Sequence, residues 1–254
     1  MRALCREYNL TLQSWSNELS PSRFSETRRR FFQCIETTWS RRWASLGSQS
    51  ATGKGTITLS LAVVFAVVLV TVHVIEPETN FGPISLYSLG PFGIVMRAGF
   101  FVLGLAFFSL VAGLRGHART ATLYRVDLNM LSIAGVGLII IGAFNTDAPG
   151  TGSTLSGVLH SSAANVWSIC AIIGILLFAV AFRQDGKSLA IGRLSRNLGI
   201  LALITYLGGF LGLGIYFEAV QPRLFFALIV LWMSLVANRL RTGNLTNLAV
   251  LEHP

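Results

Sequence analysis

The chain has 254 residues, 52% of them hydrophobic and only 12% charged, with 20 Lys and Arg against 11 Asp and Glu. So few charges cannot clothe a water-soluble surface, where roughly 25% is usual; with a mean hydropathy of +0.62, a disordered tail, a coiled coil, a collagen and a disulfide-rich secreted module are excluded as descriptions of the whole. What remains is an all-α integral membrane protein of several spans, and the net charge of +9 reads as the cation excess of cytoplasmic loops rather than as a nucleic-acid-binding surface.

Taken in chain order, residues 1–55 form a basic tail. Ser20-Pro21 suits a helix start, with serine capping and proline in the first turn. From there to about residue 46 the sequence predicts an amphipathic helix: Phe31, Ile35, Trp39 and Trp43 make one stripe, flanked by Arg28, Arg29, Arg30, Arg41 and Arg42. Such a helix is expected to lie in the cytoplasmic headgroup layer, its arginines toward anionic lipid headgroups. Glu7, Glu18, Glu26 and Glu36 argue against a mitochondrial transit peptide, and the lack of an early apolar core argues against a cleavable signal peptide. Residues 47–55 read as a flexible linker.

Six apolar stretches then approach the roughly 20 residues a spanning helix needs. They are predicted at about Thr56–Ile75, Gly93–Leu114, Leu128–Asn145, Val158–Phe182, Leu198–Phe217 and Arg223–Asn238, with Pro222 in the first turn of the last. They define a six-helix transmembrane bundle over 56–240 and a short tail at 241–254. One side collects Lys54, Arg115, Arg119, Arg125, Arg183, Lys187, Arg193, Arg196, Arg239 and Arg241, while the other holds Arg97 and Arg223. Cytoplasmic loops carry the cations, so both termini are expected inside, in the cell's inner (plasma) membrane. Cys5, Cys34 and Cys170 contain no C-x-x-C pair, and on this topology none faces an oxidising compartment, so no structural disulfide is expected.

The remaining ionisable side chains gather at the opposite, outer face. Glu76, Glu78, Asp147, Glu218, His73 and His160 sit at or near helix ends there, with Arg97, Arg223, Asn145, Ser85 and Ser88. Asp147 ends the third stretch and His160 opens the fourth, across a short Gly- and Ser-rich loop, so the two side chains are expected to come close. A carboxylate beside an imidazole orients the ring and raises its pKa. The pair serves equally as general base, half a metal site, proton relay or helix clamp, and ionisable groups in membranes are functional suspects. A serine hydrolase would need a nucleophile near His160; Ser85, Ser88, Ser153, Ser156 and Ser161 are on that side, but no G-x-S-x-G elbow exists. A metal site would have to draw on His73, His160 and Asp147, whose spacing matches no metal-binding motif. Arg97 and Arg223 are expected to snorkel outward or to pair with an acid or a lipid phosphate. Asp127 suits a helix N-terminus on dipole grounds. Gly135, Gly137, Gly208 and Gly212 favour close helix packing. Neither a nucleotide-binding nor a haem-binding pattern is present, so no cofactor is expected.

Ile84-Ser85, Leu89-Gly90, Gly113-Leu114, the run from Gly142 to Asp147, Gly157 to His160, and Gln221 to Leu224 together resemble a group of six-helix bacterial membrane proteins catalogued as domain of unknown function 998. Asn145 stands where that pattern leads one to expect proline. The resemblance implies six helices over about 56–240 and singles out Asp147 and His160; it implies no activity. The sequence reading is therefore a membrane protein that binds or transports a small polar solute or lipid headgroup through an outer pocket formed by Asp147, His160, Asn145, Arg97, Ser85 and Arg223. A membrane hydrolase using Asp147 and His160 and a non-catalytic membrane partner are its alternatives. The lipid bilayer is the expected partner, nucleic acid is not, and nothing in the sequence sets the oligomeric state.

Overall fold

The computed structural model describes residues 51–76, 82–115, 122–184, 189–211, 215–243 and 245. The amphipathic helix expected at 20–46 and most of the short C-terminal tail lie outside them. Among the described residues every regular element is helical. α1 spans Ala51–Ile75; a short 3-10 helix covers Ile84–Leu89; α2 is Gly93–Arg115, α3 Thr122–Ala143, α4 Leu155–Gln184, α5 Leu189–Phe210 and α6 Ile215–Arg241.

Five of these, α1 to α4 and the Val220–Arg241 part of α6, are long and apolar enough to cross a bilayer. α5 is more polar only at its start, where Arg193, Arg196 and Asn197 fall in the first three turns. Its 22 residues still extend about 33 Å at 1.5 Å per residue. Each helix from α2 onward packs on the next, and α2 touches α6 lightly. α1 covers that seam. Its Phe65 ring lies 6.5 Å from Phe100 of α2 and 5.6 Å from Phe226 of α6. Gly55 brings α1 so close to α6 that a Cβ there would stand 2.7 Å from the Ala237 carbonyl oxygen.

α1 has the highest mean hydropathy, 2.6, and only 22% of its apolar window is buried, against 56% in α4. Lipid is as apolar as a protein core, so the outermost helix tolerates the fewest polar side chains. The interior at mid-bundle is aromatic. Trp167 of α4 sits 4.9 Å from Phe226, 5.2 Å from Phe225 and 6.4 Å from Phe107, ring to ring. Gly137 of α3 makes room for it, because a Cβ at 137 would meet the Trp167 Cβ at 2.7 Å.

Several helix ends differ from the hydropathy reading. α1, α3, α4 and α5 begin at Ala51, Thr122, Leu155 and Leu189, earlier than the apolar runs do. Polar end turns keep their helical hydrogen bonds in the headgroup layer, where an apolar count reads a loop. α5 stops at Phe210 rather than Phe217, inside the glycine-rich run that begins at Gly208, since glycine weakens a helix. α6 starts at Ile215, not near Arg223, and carries Pro222 inside it. Membrane helices accommodate an internal proline when neighbours take up the freed carbonyl.

Candidate functional site

The last carbonyls of a helix have no partner of their own, and close to lipid they must find one within the protein. At the end of α3 the neighbouring helices supply four in succession. Arg97 of α2 donates Nε to the Gly142 oxygen at 2.9 Å and Nη2 to the Ala143 oxygen at 3.0 Å. His160 of α4 meets the Phe144 oxygen through Nδ1 at 2.8 Å. Ser156 donates its hydroxyl to the Asn145 oxygen at 2.9 Å. A cation is also favourable at a helix C-terminus. Arg97, expected to snorkel or to pair with an acid, is thus held on backbone oxygens. A carbonyl only accepts, so His160 carries its proton on Nδ1; the ring is buried, 2% exposed.

Asp147 and His160 therefore sit on the same hairpin but use different partners. Asp147 accepts the Thr154 hydroxyl at 2.6 Å and the Thr154 N–H at 3.1 Å. The Thr154 oxygen in turn accepts the Gly157 N–H at 3.1 Å, the bond of an N-cap residue to the third residue of its helix. The Asp147 carboxylate occupies the place a Cβ of Gly157 would take. Asn145 is exposed. No serine hydroxyl bonds His160 among the described residues: Ser88 donates to the Ser85 oxygen at 2.6 Å, and Ser156 is engaged with Asn145. No group of three His, Cys, Asp or Glu side chains suited to a metal ion occurs among the described residues; His73 is on α1, while Asp147 and His160 are on the α3–α4 hairpin.

A second polar cluster joins α1, the 3-10 helix and α6 at the same end. His73 Nδ1 lies 2.9 Å from the Tyr87 hydroxyl. Arg223 donates Nη2 to that hydroxyl at 3.2 Å and Nη1 to the Gly82 oxygen at 2.9 Å, with its guanidinium carbon 5.8 Å from the Tyr87 ring centre. Tyr87 is fully buried. Glu76, at the end of α1, accepts the Phe92 N–H at 3.0 Å, a carboxylate placed at the start of α2 where the helix dipole favours it. Its oxygens fill the space beside Gly90. Ser85 contributes its backbone oxygen here. Arg223 and Ser85 thus belong to this cluster, whereas Arg97, Asn145, Asp147 and His160 belong to the α3–α4 turn. Tyr87 gave no signal in the sequence: a single tyrosine in a predicted loop has no period or spacing. A helical period through Ile84 and Tyr87 was the only available clue.

Among the described residues one acidic side chain lies at the opposite, arginine-rich end. Asp127 is the sixth residue of α3 rather than its opening one, is fully buried, and neither carboxylate oxygen has a hydrogen-bond partner among the described residues. Hydropathy places it at the opening of the helix, and only the earlier start of α3 brings it inside.

The long apolar helices and the internally satisfied helix ends define a multi-pass, all-helical membrane protein. The chain belongs to the family described as "Protein of unknown function (DUF998)", whose sequence profile matches residues 59–239. No curated protein and no solved structure matches it.

Proposed function

We propose that this protein binds a small anionic group, carried by a polar solute or a lipid headgroup, at the outer end of its bundle, with His73 as the contacting residue and Tyr87 and Arg223 as the residues that position it. The observation that carries this reading is the chain of hydrogen bonds across three elements, from Arg223 through Tyr87 to His73. With the hydroxyl accepting from Arg223, its own proton points to His73 Nδ1. The half-buried ring then keeps its Nε2–H as a donor for an acceptor-rich ligand. Ser85 lies in the same cluster, while Asp147, His160, Asn145 and Arg97 order the α3–α4 turn at the same end of the bundle. The outer placement rests on the cation asymmetry of the loops. The aromatic interior around Trp167 favours binding over an open channel.

The test uses the full chain in lipid nanodiscs with ring-labelled histidine, titrated with glycerol phosphate. A saturable shift of one ring signal that is absent in His73→Gln is expected. Tyr87→Phe should weaken binding by about five- to tenfold, the loss of roughly one hydrogen bond. A ring signal that does not move, or binding indifferent to Tyr87→Phe, would overturn the reading.

Asp127 favours a second reading, transport coupled to a proton or small cation. A buried carboxylate with both oxygens unpartnered offers a place for such an ion to arrive and leave. Uptake that follows a pH gradient in proteoliposomes and is lost in Asp127→Asn would support it; uptake unchanged in Asp127→Asn would exclude it.

A further inference from the structure

We infer that the α4–α5 corner at the arginine-rich end is a binding site for one acidic phospholipid. The argument begins with close packing. Gly192 and Gly199 line the α5 face against α4: a Cβ at 192 would lie 3.0 Å from Arg183 Cγ and 3.2 Å from the Ala179 oxygen, and one at 199 would lie 2.8 Å from Leu176 Cδ2. The stem of Arg183, at the end of α4, is thus laid across the first turns of α5. The inward side of the same stretch is set by Ser195, fully buried and accepting the Trp232 indole N–H at 2.9 Å. At 100° per residue, Arg193 and Arg196 fall on the outward side, next to Arg183, and all three are exposed. Arg196 is oriented by its neighbour, with Nε and Nη2 at 3.3 and 3.2 Å from Asn197 Oδ1.

None of the three guanidinium groups meets a carboxylate among the described residues. The one described acid at this end, Asp127, is buried. Three exposed cations at one corner attract an anion, and the same face of α5 says which kind. One turn further along it become apolar and exposed: Ile200 is 42% and Ile204 60% accessible. Residues 196 and 204 are separated by about 12 Å along the axis at 1.5 Å per residue. Guanidinium groups above and a bare aliphatic track below match a phosphate head with its acyl chain beneath. Arginine's fork suits phosphate oxygens, and a bound lipid would also cover the apolar residues. A free phosphate would leave the Ile200–Ile204 track without a role. This site is independent of the one proposed at the opposite end.

The test is native mass spectrometry of the full chain in detergent, titrated with short-chain phosphatidylglycerol and, separately, phosphatidylcholine. The wild type should hold one phosphatidylglycerol at least tenfold more tightly than phosphatidylcholine. Arg193→Gln with Arg196→Gln should cost about tenfold in phosphatidylglycerol affinity. Arg239→Gln with Arg241→Gln, which removes the same charge from the same end, should change it less than twofold. Ile204→Asn, which leaves all the arginines in place, should weaken the lipid while sparing any affinity for inorganic phosphate. Equal losses in the two arginine pairs would mean diffuse attraction to an acidic leaflet and overturn the site. So would equal affinity for the two lipids, or competition by inorganic phosphate with no effect of Ile204→Asn.

Discussion

At the scale of single residues, Arg97 and His160 show how a membrane protein closes a helix end. Each would be a costly polar group near lipid; each is occupied by backbone oxygens of α3 that would otherwise be unmet. Arg97→Leu should lower the unfolding temperature in detergent, with a loss of roughly 1–3 kcal/mol for carbonyls left unpaired. Arg97→Lys should rescue only partly, because a single ammonium does not reproduce the two-pronged geometry of Nε and Nη2. Full recovery with lysine would show that charge alone is at work. Asp127 makes the opposite prediction. Its buried carboxylate has no partner among the described residues, so Asp127→Ala should raise thermal stability by an amount of order 1–3 kcal/mol. A drop in unfolding temperature would mean that the carboxylate is held by something that stabilises the fold.

At the scale of elements, the α3–α4 hairpin is organised by contacts between its loop and the start of the next helix. Asp147 fixes Thr154, Thr154 caps α4, and Gly157 leaves space for the carboxylate. Gly157→Ala should therefore destabilise, although alanine is the better helix former. Asp147→Ala should destabilise as well, through the lost cap. The double variant should be less impaired than the sum, because removing the carboxylate removes the clash. Additive losses in thermal unfolding would show that Asp147 and Gly157 do not act on each other. This coupling needed coordinates to be seen. The sequence places Asp147 and His160 at neighbouring helix ends, but whether they face each other depends on side-chain directions in the loop 144–154, which no periodicity encodes.

At the scale of the whole molecule, orientation is the property on which the outer site depends. In a background lacking Cys5, Cys34 and Cys170, a cysteine placed at Ser153 should react with a membrane-impermeant maleimide on intact cells, and one at Thr242 should react only after lysis. The reverse pattern would invert the protein and move the His73 cluster to the cytoplasm. The bundle itself should tolerate either labelling position, since Ser153 and Thr242 are both exposed at helix ends.

Composition and the lengths of the apolar runs determined that this chain is a membrane-spanning helical bundle, because lipid penalises polar side chains and unpaired backbone along a whole span, a signal summed over some 20 residues. The same reasoning separates the arginine-rich end from the end that carries His73 and Asp147. Helix ends were less legible: the starts of α3 and α5 carry polar residues such as Arg125, Arg193 and Arg196, and Pro222 lies inside α6, so a local count misplaces them. Only the tertiary structure decided the chemistry of the polar residues. It assigned Arg97 and His160 to the carbonyls of α3, joined Tyr87 to His73 and Arg223, and buried Asp127. The first two outcomes turn on one or two hydrogen bonds between residues distant in the chain, and the third on where α3 begins; all are chosen by packing and not by neighbours in sequence.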